Sequence, residues 1–503
     1  MDTGKETDMR QTWKGISENN QVNLLEQLQK QGVYIPADCG GIGRCGKCRV
    51  QFLSGAPKAD DDDVEIFSPE QIADGWRLAC KAFPAGAYEI AWEQSEDEME
   101  VATDFADGKE SSEAFSEAGV EVSNNLVAAV DIGTTTLAVS LVDRTNDKVI
   151  DTKTSVNHQR VFGADVISRI QASMDGKKDE LKASIRKDLD TLIAALGEKM
   201  EEIPVIISGN TTMEHLFLGL PCDTLGVAPY TPVDISLHKE DNFLMLPGIS
   251  TYVGADIVSG IIACGMDQSE EVCMLIDLGT NGEMAIGNKD RIISASTAAG
   301  PAFEGGNISC GVAGVPGAIS SVDIAEDGSV TIGTIGDKDP IGLCGTGVLE
   351  VVYEMLKAEY MDETGLLEDE YVDDGFPLSD DVVFTDQDVR EVQLAKSAIR
   401  AGAETLMEEY GVGYDDISAL YLAGGFGQKI NLQKAAGIGL LPEELLDRTK
   451  AVGNSSLAGA VMIAKDETLK ERFAHVADYS EEVSLTGNPT FNDLYMEYMM
   501  FEA

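Results

Sequence analysis

Polar, glycine-rich turns separate short apolar runs along most of the chain after residue 125. The runs Leu126–Val130 and Leu137–Val142 flank a turn that begins with Asp131, and a second pair of runs flanks a turn that begins with Asp277, 146 residues later. Apolar runs of this length bounded by turn residues predict β-strands, and each pair predicts a hairpin. Two copies of strand, turn and strand indicate an internal duplication.

The two turns carry residue types that suit phosphate. Both have the pattern Asp-x-Gly-Thr, which offers backbone N–H groups, a hydroxyl and a carboxylate for a hydrated metal ion. A single turn of this kind is weak evidence, because Asp and Gly are common in hairpin turns. Two turns at matched strand ends are considerably stronger evidence.

A third strand-like run, Ile417–Ala423, ends in Gly424, Gly425, Phe426 and Gly427. Paired glycines after a strand allow the backbone to approach a flat or charged ligand closely. The alternative interpretation is a simple turn.

Four cysteines near the N-terminus have the spacing of ligands to an iron–sulfur cluster. Cys39, Cys45 and Cys48 lie in one glycine-rich segment, and 31 residues separate Cys48 from Cys80. Three thiolates in one loop and a distant fourth are typical of a plant-type two-iron cluster, whose potential of about −400 mV indicates electron transfer. Structural zinc usually has two close cysteine pairs, whereas only Cys45 and Cys48 form one here. Zinc, free thiols and disulfides remain the alternatives.

The segment before the cysteines predicts a short helix. Val22, Leu24, Leu25 and Leu28 form an apolar stripe at helical spacing, which ends near Gly32. A short helix that leads into a cysteine loop resembles the β-grasp ferredoxin fold. Because roughly 20 residues precede this helix, we expect the first strands to be short or irregular.

Composition restricts the classes of function. The chain has 503 residues, which predicts roughly two to four domains. Its net charge of −51 argues against nucleic acid and against an anionic membrane surface as partners. Solubility and the steering of a basic protein partner both explain that charge. The sequence has no apolar stretch of about 18 residues and no signal-peptide pattern, so we expect a cytoplasmic protein without membrane spans.

An acidic segment separates the cysteines from the strand-rich region. Eleven acidic residues and one base, Lys109, lie from Glu93 to Glu121. Such a segment buries too little apolar surface to pack. We expect a tether that lets the cysteine domain move; an inert spacer is the alternative.

The strand-rich region resembles the superfamily of actin, sugar kinases and the large heat-shock ATPase chaperones. Asp131–Thr136 is similar to its first phosphate motif, Asp277–Gly282 to its second, and Gly424–Gly427 to its adenosine motif. Val253–Gly260 and Val452–Ala460 are similar to its two connecting helices. All five motifs occur in the expected order.

A two-iron ferredoxin, a linker and this ATPase on one chain resemble, more narrowly, the reductive activators of corrinoid proteins. Gly209–Met213, Asp277–Glu283 and Ala299–Gly306 are similar to segments of that family. The short N-terminus and the lack of a long insertion between ferredoxin and ATPase depart from the family pattern.

The resemblance implies a multidomain protein of the α+β and α/β classes. The predicted parts are a β-grasp ferredoxin domain over 1–92, an acidic linker over 93–125, and the two halves of a duplicated actin-like ATPase fold over 126–270 and 271–503. It also implies an activity, the ATP-dependent reduction of Co(II) to Co(I) by one electron. The implied cofactors are a 2Fe-2S cluster, ATP and Mg²⁺.

The implied partners are the corrinoid protein of an anaerobic methyltransferase system and an upstream low-potential electron donor. The oligomeric state stays open, a homodimer included. Two other functions fit the same sequence. One is a small-molecule kinase of the same superfamily with a redox-sensing cluster, and the other is an ATP-driven binding protein with a structural cluster.

The resemblance assigns roles to individual residues. The implied cluster ligands are Cys39, Cys45, Cys48 and Cys80. Asp131 and Asp277 are expected to hold magnesium through water, and Asp256 to polarise the attacking water, with helix capping as its alternative. The residues expected to bind phosphate are Gly133, Thr134, Thr135, Thr136, Gly279, Thr280, Asn281 and Gly282. Gly424, Gly425 and Phe426 are expected to border the adenosine, with Glu304 at the ribose.

Overall fold

The computed structural model describes residues 10–17, 21–29, 31, 33, 35, 43, 46–93 and 124–501. Cys39, Cys45, Gly32 and nearly all of the predicted linker lie outside these residues. Contacts between Cα atoms divide the chain into two compact units. The first unit comprises Met1–Asp97, Val156–Asp188 and Leu216–Val227. The second comprises Glu98–Ser155, Leu189–His215 and Ala228–Ala503.

The N-terminal part of the first unit is a four-stranded sheet with short helices. The strands are β1 (Arg10–Ser17), β2 (Arg49–Ser54), β3 (Trp76–Leu78) and β4 (Gly86–Glu93). The helices are α1 (Leu24–Gln29), α2 (Asp61–Ile66) and α3 (Pro69–Ala73). The strand order is β1-β4-β2-β3, and all neighbouring strands are antiparallel.

The helix predicted before the cysteines is confirmed as α1, with Leu24, Leu25 and Leu28 buried in the core of this sheet. The expectation of a short or irregular first strand is wrong for β1. This strand has 8 residues and pairs with β4 over its whole length. An unbroken ladder of this kind stabilises a strand even where the preceding chain is short.

The remaining strands and helices belong mainly to the second unit. In chain order the strands are β5 (Leu126–Ile132), β6 (Thr136–Asp143), β7 (Lys148–Val156), β8 (Val205–Gly209), β9 (His238–Glu240), β10 (Phe243–Met245), β11 (Val272–Leu278), β12 (Gly282–Asn288), β13 (Arg291–Thr297), β14 (Ala318–Ile324), β15 (Val330–Thr334), β16 (Gly342–Leu343), β17 (Phe376–Pro377), β18 (Val383–Phe384), β19 (Ile417–Ala423), β20 (Thr449–Gly453) and β21 (Ser480–Glu482). The helices are α4 (Val166–Ala172), α5 (Lys178–Ala195), α6 (Thr211–Leu218), α7 (Asp223–Gly226), α8 (Ala255–Ala263), α9 (Gly345–Lys357), α10 (Asp386–Tyr410), α11 (Gly424–Lys429), α12 (Leu432–Gly437), α13 (Ser455–Lys465), α14 (Lys470–Tyr479) and α15 (Pro489–Glu497).

Two six-stranded sheets repeat the same strand order, which confirms the predicted duplication. One sheet runs β7-β6-β5-β8-β10, with β9 added at its edge. The other runs β13-β12-β11-β19-β20, with β21 added beside β13. In each sheet the first strand along the chain is antiparallel to the second strand, as the predicted hairpins require, and parallel to the fourth.

The predicted connecting helices are confirmed as α8 and α13, which pack against each other. One buried apolar cluster joins these helices to both sheets. It includes Val127, Ala129, Ala138, Ile257, Ile261, Leu275, Ala285, Leu457 and Ile463. Burial of apolar surface from both halves in one core ties the two repeats together.

Two glycines allow α8 and α13 to approach closely. A Cβ atom on Gly260 would lie 2.8 Å from Ser455 Oγ, and one on Gly459 would lie 2.4 Å from Ser259 Cβ. The hydroxyl of Ser208 on β8 connects the two helices at this contact. Its Oγ lies 2.9 Å from Ser259 Oγ on α8 and 3.0 Å from Ser456 Oγ on α13.

None of the helices in the described parts of the chain combines the length and the apolar character that crossing a bilayer requires.

Gly459→Ala is expected to destabilise the second unit by about 2 kcal/mol, because the new methyl group overlaps Ser259 and the helices must separate. The matched control is Gly413→Ala, where the nearest atom to the new Cβ would be Asp416 Oδ2 at 3.9 Å. The check is the midpoint of thermal unfolding, followed by circular dichroism. Equal midpoints for both variants would contradict the close helix contact.

Candidate functional site

The two predicted phosphate turns meet at one cavity. Each turn is closed by a backbone hydrogen bond: Gly133 N donates to Thr136 O at 3.0 Å, and Gly279 N donates to Asn281 O at 3.2 Å. Both turns line a cavity of about 460 Å³ in the second unit. Residues that are 146 positions apart in sequence therefore face the same space.

A carboxylate joins the two turns. Thr135 Oγ1 and Thr280 Oγ1 lie 3.2 Å apart. Glu304 Oε2 accepts hydrogen bonds from both hydroxyls, at 3.1 Å and 2.6 Å respectively. The family resemblance implies a contact between Glu304 and the ribose, whereas in the structure its carboxylate lies between the two threonine turns.

Asp131, at the end of β5, is held by the start of α13. Asn454 Nδ2 donates to Asp131 Oδ2 at 2.9 Å, and Ser456 Oγ donates to Asp131 Oδ1 at 2.6 Å. Asn454 also caps α13, since its Oδ1 accepts from Leu457 N at 2.7 Å. The helix that connects the two halves therefore positions the first acidic residue of the site.

Asp256 and Asp277 line the same cavity. Asp256 lies in the first turn of α8, and its Oδ1 accepts from Ile257 N at 2.9 Å. Asp277 lies near the end of β11, and its register partner on β12 is Glu283. Asn281 Nδ2 donates to Glu283 Oε1 at 3.1 Å, so the second turn holds this additional carboxylate.

The carboxylates of this cavity resist ionisation. Burial raises the pKa of Asp277 to about 8, and the neighbouring carboxylates Asp256, Asp131 and Glu304 add to the rise. Burial, with a contribution from Asp131, raises the pKa of Asp256 to about 7. Burial likewise raises the pKa of Asp131, although hydrogen bonds from Ser456 and Asn454 oppose it. The pKa of Glu283 and that of Glu304 are also raised by burial.

This charge pattern suits a hydrated cation with phosphate. Lys429 is the one lysine or arginine among the described residues that line the cavity. Within the described ranges, no three ligating side chains converge closely enough to hold a metal ion by themselves. Magnesium usually keeps several waters and takes phosphate oxygens as further ligands, which fits this donor set.

Two aromatic rings also line the cavity. The rings of Phe303 and Phe426 are stacked, with centroids 4.9 Å apart and an interplanar angle of 16°. Gly424 has a φ of +88°, and a Cβ there would lie 2.7 Å from Leu278 O and 2.8 Å from Asp277 Oδ1. The glycine therefore lets the start of α11 pack directly against the second phosphate strand.

The structure brings together nearly all ATPase residues predicted from sequence. Those that line the cavity are Asp131, Gly133, Thr134, Thr135, Thr136, Asp256, Asp277, Gly279, Thr280, Asn281, Glu304, Gly424, Gly425 and Phe426. Gly282 is not among the lining residues. It is buried at the start of β12, and a Cβ there would lie 3.0 Å from Thr297 Cγ2 and 3.2 Å from Ile399 Cγ1.

Several residues that line the cavity have no role in the sequence-based predictions. Asn210 caps α6 through Met213 N, and its Nδ2 donates to Thr134 Oγ1 at 3.0 Å. The others are Leu278, Glu283, Phe303, Gly314, Ser320, Ile335, Cys344, Gly345, Thr346, Lys429, Asn454 and Ser456. Some of them lie inside or beside segments similar to known motifs, whereas Gly314, Ser320, Ile335 and the residues 344–346 lie outside those segments, so no motif marks them.

Two of the four predicted cluster ligands lie within the described residues of the first unit. The sulfur atoms of Cys48 and Cys80 are 3.3 Å apart, and both side chains are buried. Two thiolates on one tetrahedral metal ion, with bonds of about 2.3 Å, lie about 3.8 Å apart. Ala79 N donates to Cys48 O at 2.7 Å and fixes this approach. The observed separation is shorter than this, and the two sulfur atoms lie close enough together to serve as two ligands of one iron.

Three family models match successive parts of the chain. Residues 10–85 match a 2Fe-2S iron-sulfur cluster binding domain. Residues 126–269 match the RACo middle region, and residues 271–503 match the C-terminal domain of RACo, the ASKHA domain.

Two relatives and one solved structure extend this likeness. The chain is 30% identical over 423 residues to the corrinoid activation enzyme RamQ of Eubacterium limosum, an alignment covering 74% of this chain and 70% of that protein. It is 30% identical over 281 residues to a Co(II) methylated amine-specific corrinoid protein reductase of Methanosarcina barkeri, covering 50% of each. The solved structure of a reductive activator for corrinoid, iron-sulfur protein matches 97% of this chain and 96% of that chain, with 28% identity and a TM-score of 0.68.

These matches confirm the predicted combination of an N-terminal ferredoxin domain with a duplicated actin-like fold. The chain therefore belongs to the family of reductive activators of corrinoid proteins.

Proposed function

We propose that this chain uses ATP to deliver one electron to the cobalt of a corrinoid protein, converting Co(II) to Co(I). The observation that carries the proposal is the carboxylate-lined cavity where Thr135, Thr280 and Glu304 meet, in a chain that also pairs Cys48 with Cys80. The names of the relatives, which refer to corrinoid activation and to a corrinoid protein reductase, support the same class of substrate.

The electron needs a route and a driving force. Cys39, Cys45, Cys48 and Cys80 would hold a 2Fe-2S cluster, which supplies one-electron chemistry at low potential when bound. An upstream low-potential donor supplies the electron, and Co(II) accepts it to become Co(I). For a one-electron step, each 59 mV by which the acceptor lies below the donor lowers the equilibrium constant tenfold. ATP can offset this only through a conformational change that alters the acceptor or the complex.

The cavity supplies groups for nucleotide binding. The threonine turns would bind the phosphates, with Asp131 and Asp277 holding magnesium through water. Asp256 would polarise the attacking water from the first turn of α8. Phe303 and Phe426, next to Gly424 and Gly425, would form the apolar border of the adenosine.

We place Glu304 on the phosphate side of the nucleotide. Its carboxylate accepts from Thr135 in one half and from Thr280 in the other, so it holds both turns in a fixed relation. A phosphate that takes over these two hydroxyls would release Glu304. Nucleotide binding would then change the link between the two halves, which is the kind of rearrangement that domain closure requires.

The central test is anaerobic reduction of a Co(II) corrinoid protein from a methyltransferase system by the full chain, a chemical reductant and MgATP. We expect an ATP-dependent Co(I) absorption band. Cys80→Ser should abolish the band and the iron content but leave nucleotide binding unchanged, because the thiolate lies outside the unit that contains the cavity.

Cys264→Ser is the matched control, since Cys264 is a half-buried cysteine outside the predicted ligand set. It should retain both iron and activity. Transfer of the ATP phosphate to a small molecule, with no Co(I) formed with any corrinoid partner, would favour the kinase alternative.

Glu304→Ala should tighten binding of ATP and of 2′-deoxy-ATP by the same factor, roughly tenfold, because phosphate no longer competes with a carboxylate for the two threonine hydroxyls. Isothermal titration calorimetry measures both affinities. Glu326→Ala, an exposed glutamate in the turn between β14 and β15, is the control. If only Glu304→Ala loses the preference for ATP over 2′-deoxy-ATP, the result would instead support a contact between Glu304 and the ribose.

The metal-free protein should lose stability as pH rises toward and through the raised pKa values of about 7 for Asp256 and about 8 for Asp277. Above the unfolded value of 3.8, the unfolded carboxylates have lost protons that the folded ones retain. The free energy of unfolding therefore falls across this window.

Magnesium favours the ionised carboxylates, so it should raise the thermal midpoint more at about pH 8.5 than at about pH 6. Asp277→Asn should reduce this difference. An equal magnesium effect at both pH values in the unmodified chain would argue against metal binding by these carboxylates.

A further inference from the structure

A charge pair lies beside the cysteine region of the first unit. Lys81 directly follows Cys80, and its Nζ is 2.6 Å from Asp62 Oδ2. The two side chains are only 27% and 37% exposed. An ion pair at this distance with limited exposure is less screened than one on an open surface.

The pair packs directly on Gly43. In sequence this glycine lies between Cys39 and Cys45, two of the predicted cluster ligands. A Cβ on Gly43 would lie 2.4 Å from Lys81 Cε and 2.5 Å from Asp62 Oδ2. The φ of Gly43 is +95°, so both its backbone conformation and the space above it require glycine. Opposite charges are therefore held against Gly43, which lies between two predicted ligands in the sequence.

The fold fixes the position of Asp62. It lies in the first turn of α2, next to Asp63, whose buried Oδ1 accepts from Leu78 N at 2.8 Å. Leu78 ends β3, two residues before Cys80. Asp60 caps the same helix through Asp63 N at 3.0 Å. The carboxylate of Asp62 is thus anchored through its helix to the strand that leads to a predicted ligand.

The ammonium group of Lys81 is positively charged at neutral pH. Because Lys81 directly follows Cys80, this charge is next to a predicted cluster ligand in the chain.

We propose that Lys81 and Asp62 act as a pair of positioning charges that set the reduction potential of the cluster. This inference rests on the proposed 2Fe-2S cluster. Reduction adds one negative charge, which the ammonium stabilises and the carboxylate destabilises. Because the two charges are close together, their effects largely cancel in the unmodified chain. Removal of either charge leaves the effect of the other charge uncompensated.

The test is the potential of the cluster in the full chain, measured by anaerobic titration with detection by electron paramagnetic resonance. Lys81→Met leaves Asp62 unopposed and should lower the equilibrium constant for reduction roughly tenfold, which is 59 mV for one electron. Asp62→Asn leaves Lys81 unopposed and should raise it by a similar factor. The double variant should return close to the unmodified value.

The matched control is the ion pair of Lys14 and Glu89, which joins β1 and β4 with a distance of 3.2 Å. Lys14→Met and Glu89→Gln should each leave the potential nearly unchanged. The inference would be overturned if the potential shifted with the same sign in Lys81→Met and Asp62→Asn. It would also be overturned if these shifts were no larger than those of the control variants. Neither result would affect the proposed function. An unmodified chain that binds no iron and sulfide would overturn both.

Discussion

The site depends on the crowding of like charges where the two repeats meet. Five carboxylates line one cavity, and burial raises the pKa of each. They are Asp131, Asp256, Asp277, Glu283 and Glu304. Neighbouring carboxylates add to the rise at Asp256, Asp277 and Glu283. Side chains of serine, threonine and asparagine donate hydrogen bonds to Asp131, Glu283 and Glu304, since unpaired buried charges are costly. Protonation reduces the repulsion between the carboxylates, and a metal ion bound together with phosphate would do the same. The stability of the fold would therefore depend on whether metal and nucleotide are bound.

Hydrogen bonds connect that cavity to the contact between the two connecting helices. Ser456 donates to Asp131 and also lies 3.0 Å from Ser208, which in turn lies 2.9 Å from Ser259 on α8. This chain of hydroxyls runs from a phosphate turn into the closest contact between the helices. Asp131 is therefore connected to the core shared by both halves through hydrogen bonds.

Much of this architecture could be predicted from local sequence patterns. The hairpins around Asp131 and Asp277, the strand before Gly424, and both connecting helices follow from apolar periodicity and turn residues. The position of Glu304 could not, because a hydrogen bond to Thr135 spans 169 residues and depends on how the halves pack. Gly282, the last residue of the second predicted phosphate motif, lies in a buried strand and does not line the cavity, and this too depends on packing between distant segments. The regular pairing of β1 depends on β4, which is also distant in sequence.

The two turns are repeated but not identical. Ile132 pairs with Leu137 across the first turn, whereas Leu278 pairs with Gly282 across the second, so the second turn is one residue shorter. The first turn presents a run of hydroxyls, and the second adds an amide and a carboxylate. The two turns therefore differ in the groups that they present to the cavity. The two turns offer different donors and acceptors to the same cavity, so the duplicated halves are not chemically interchangeable.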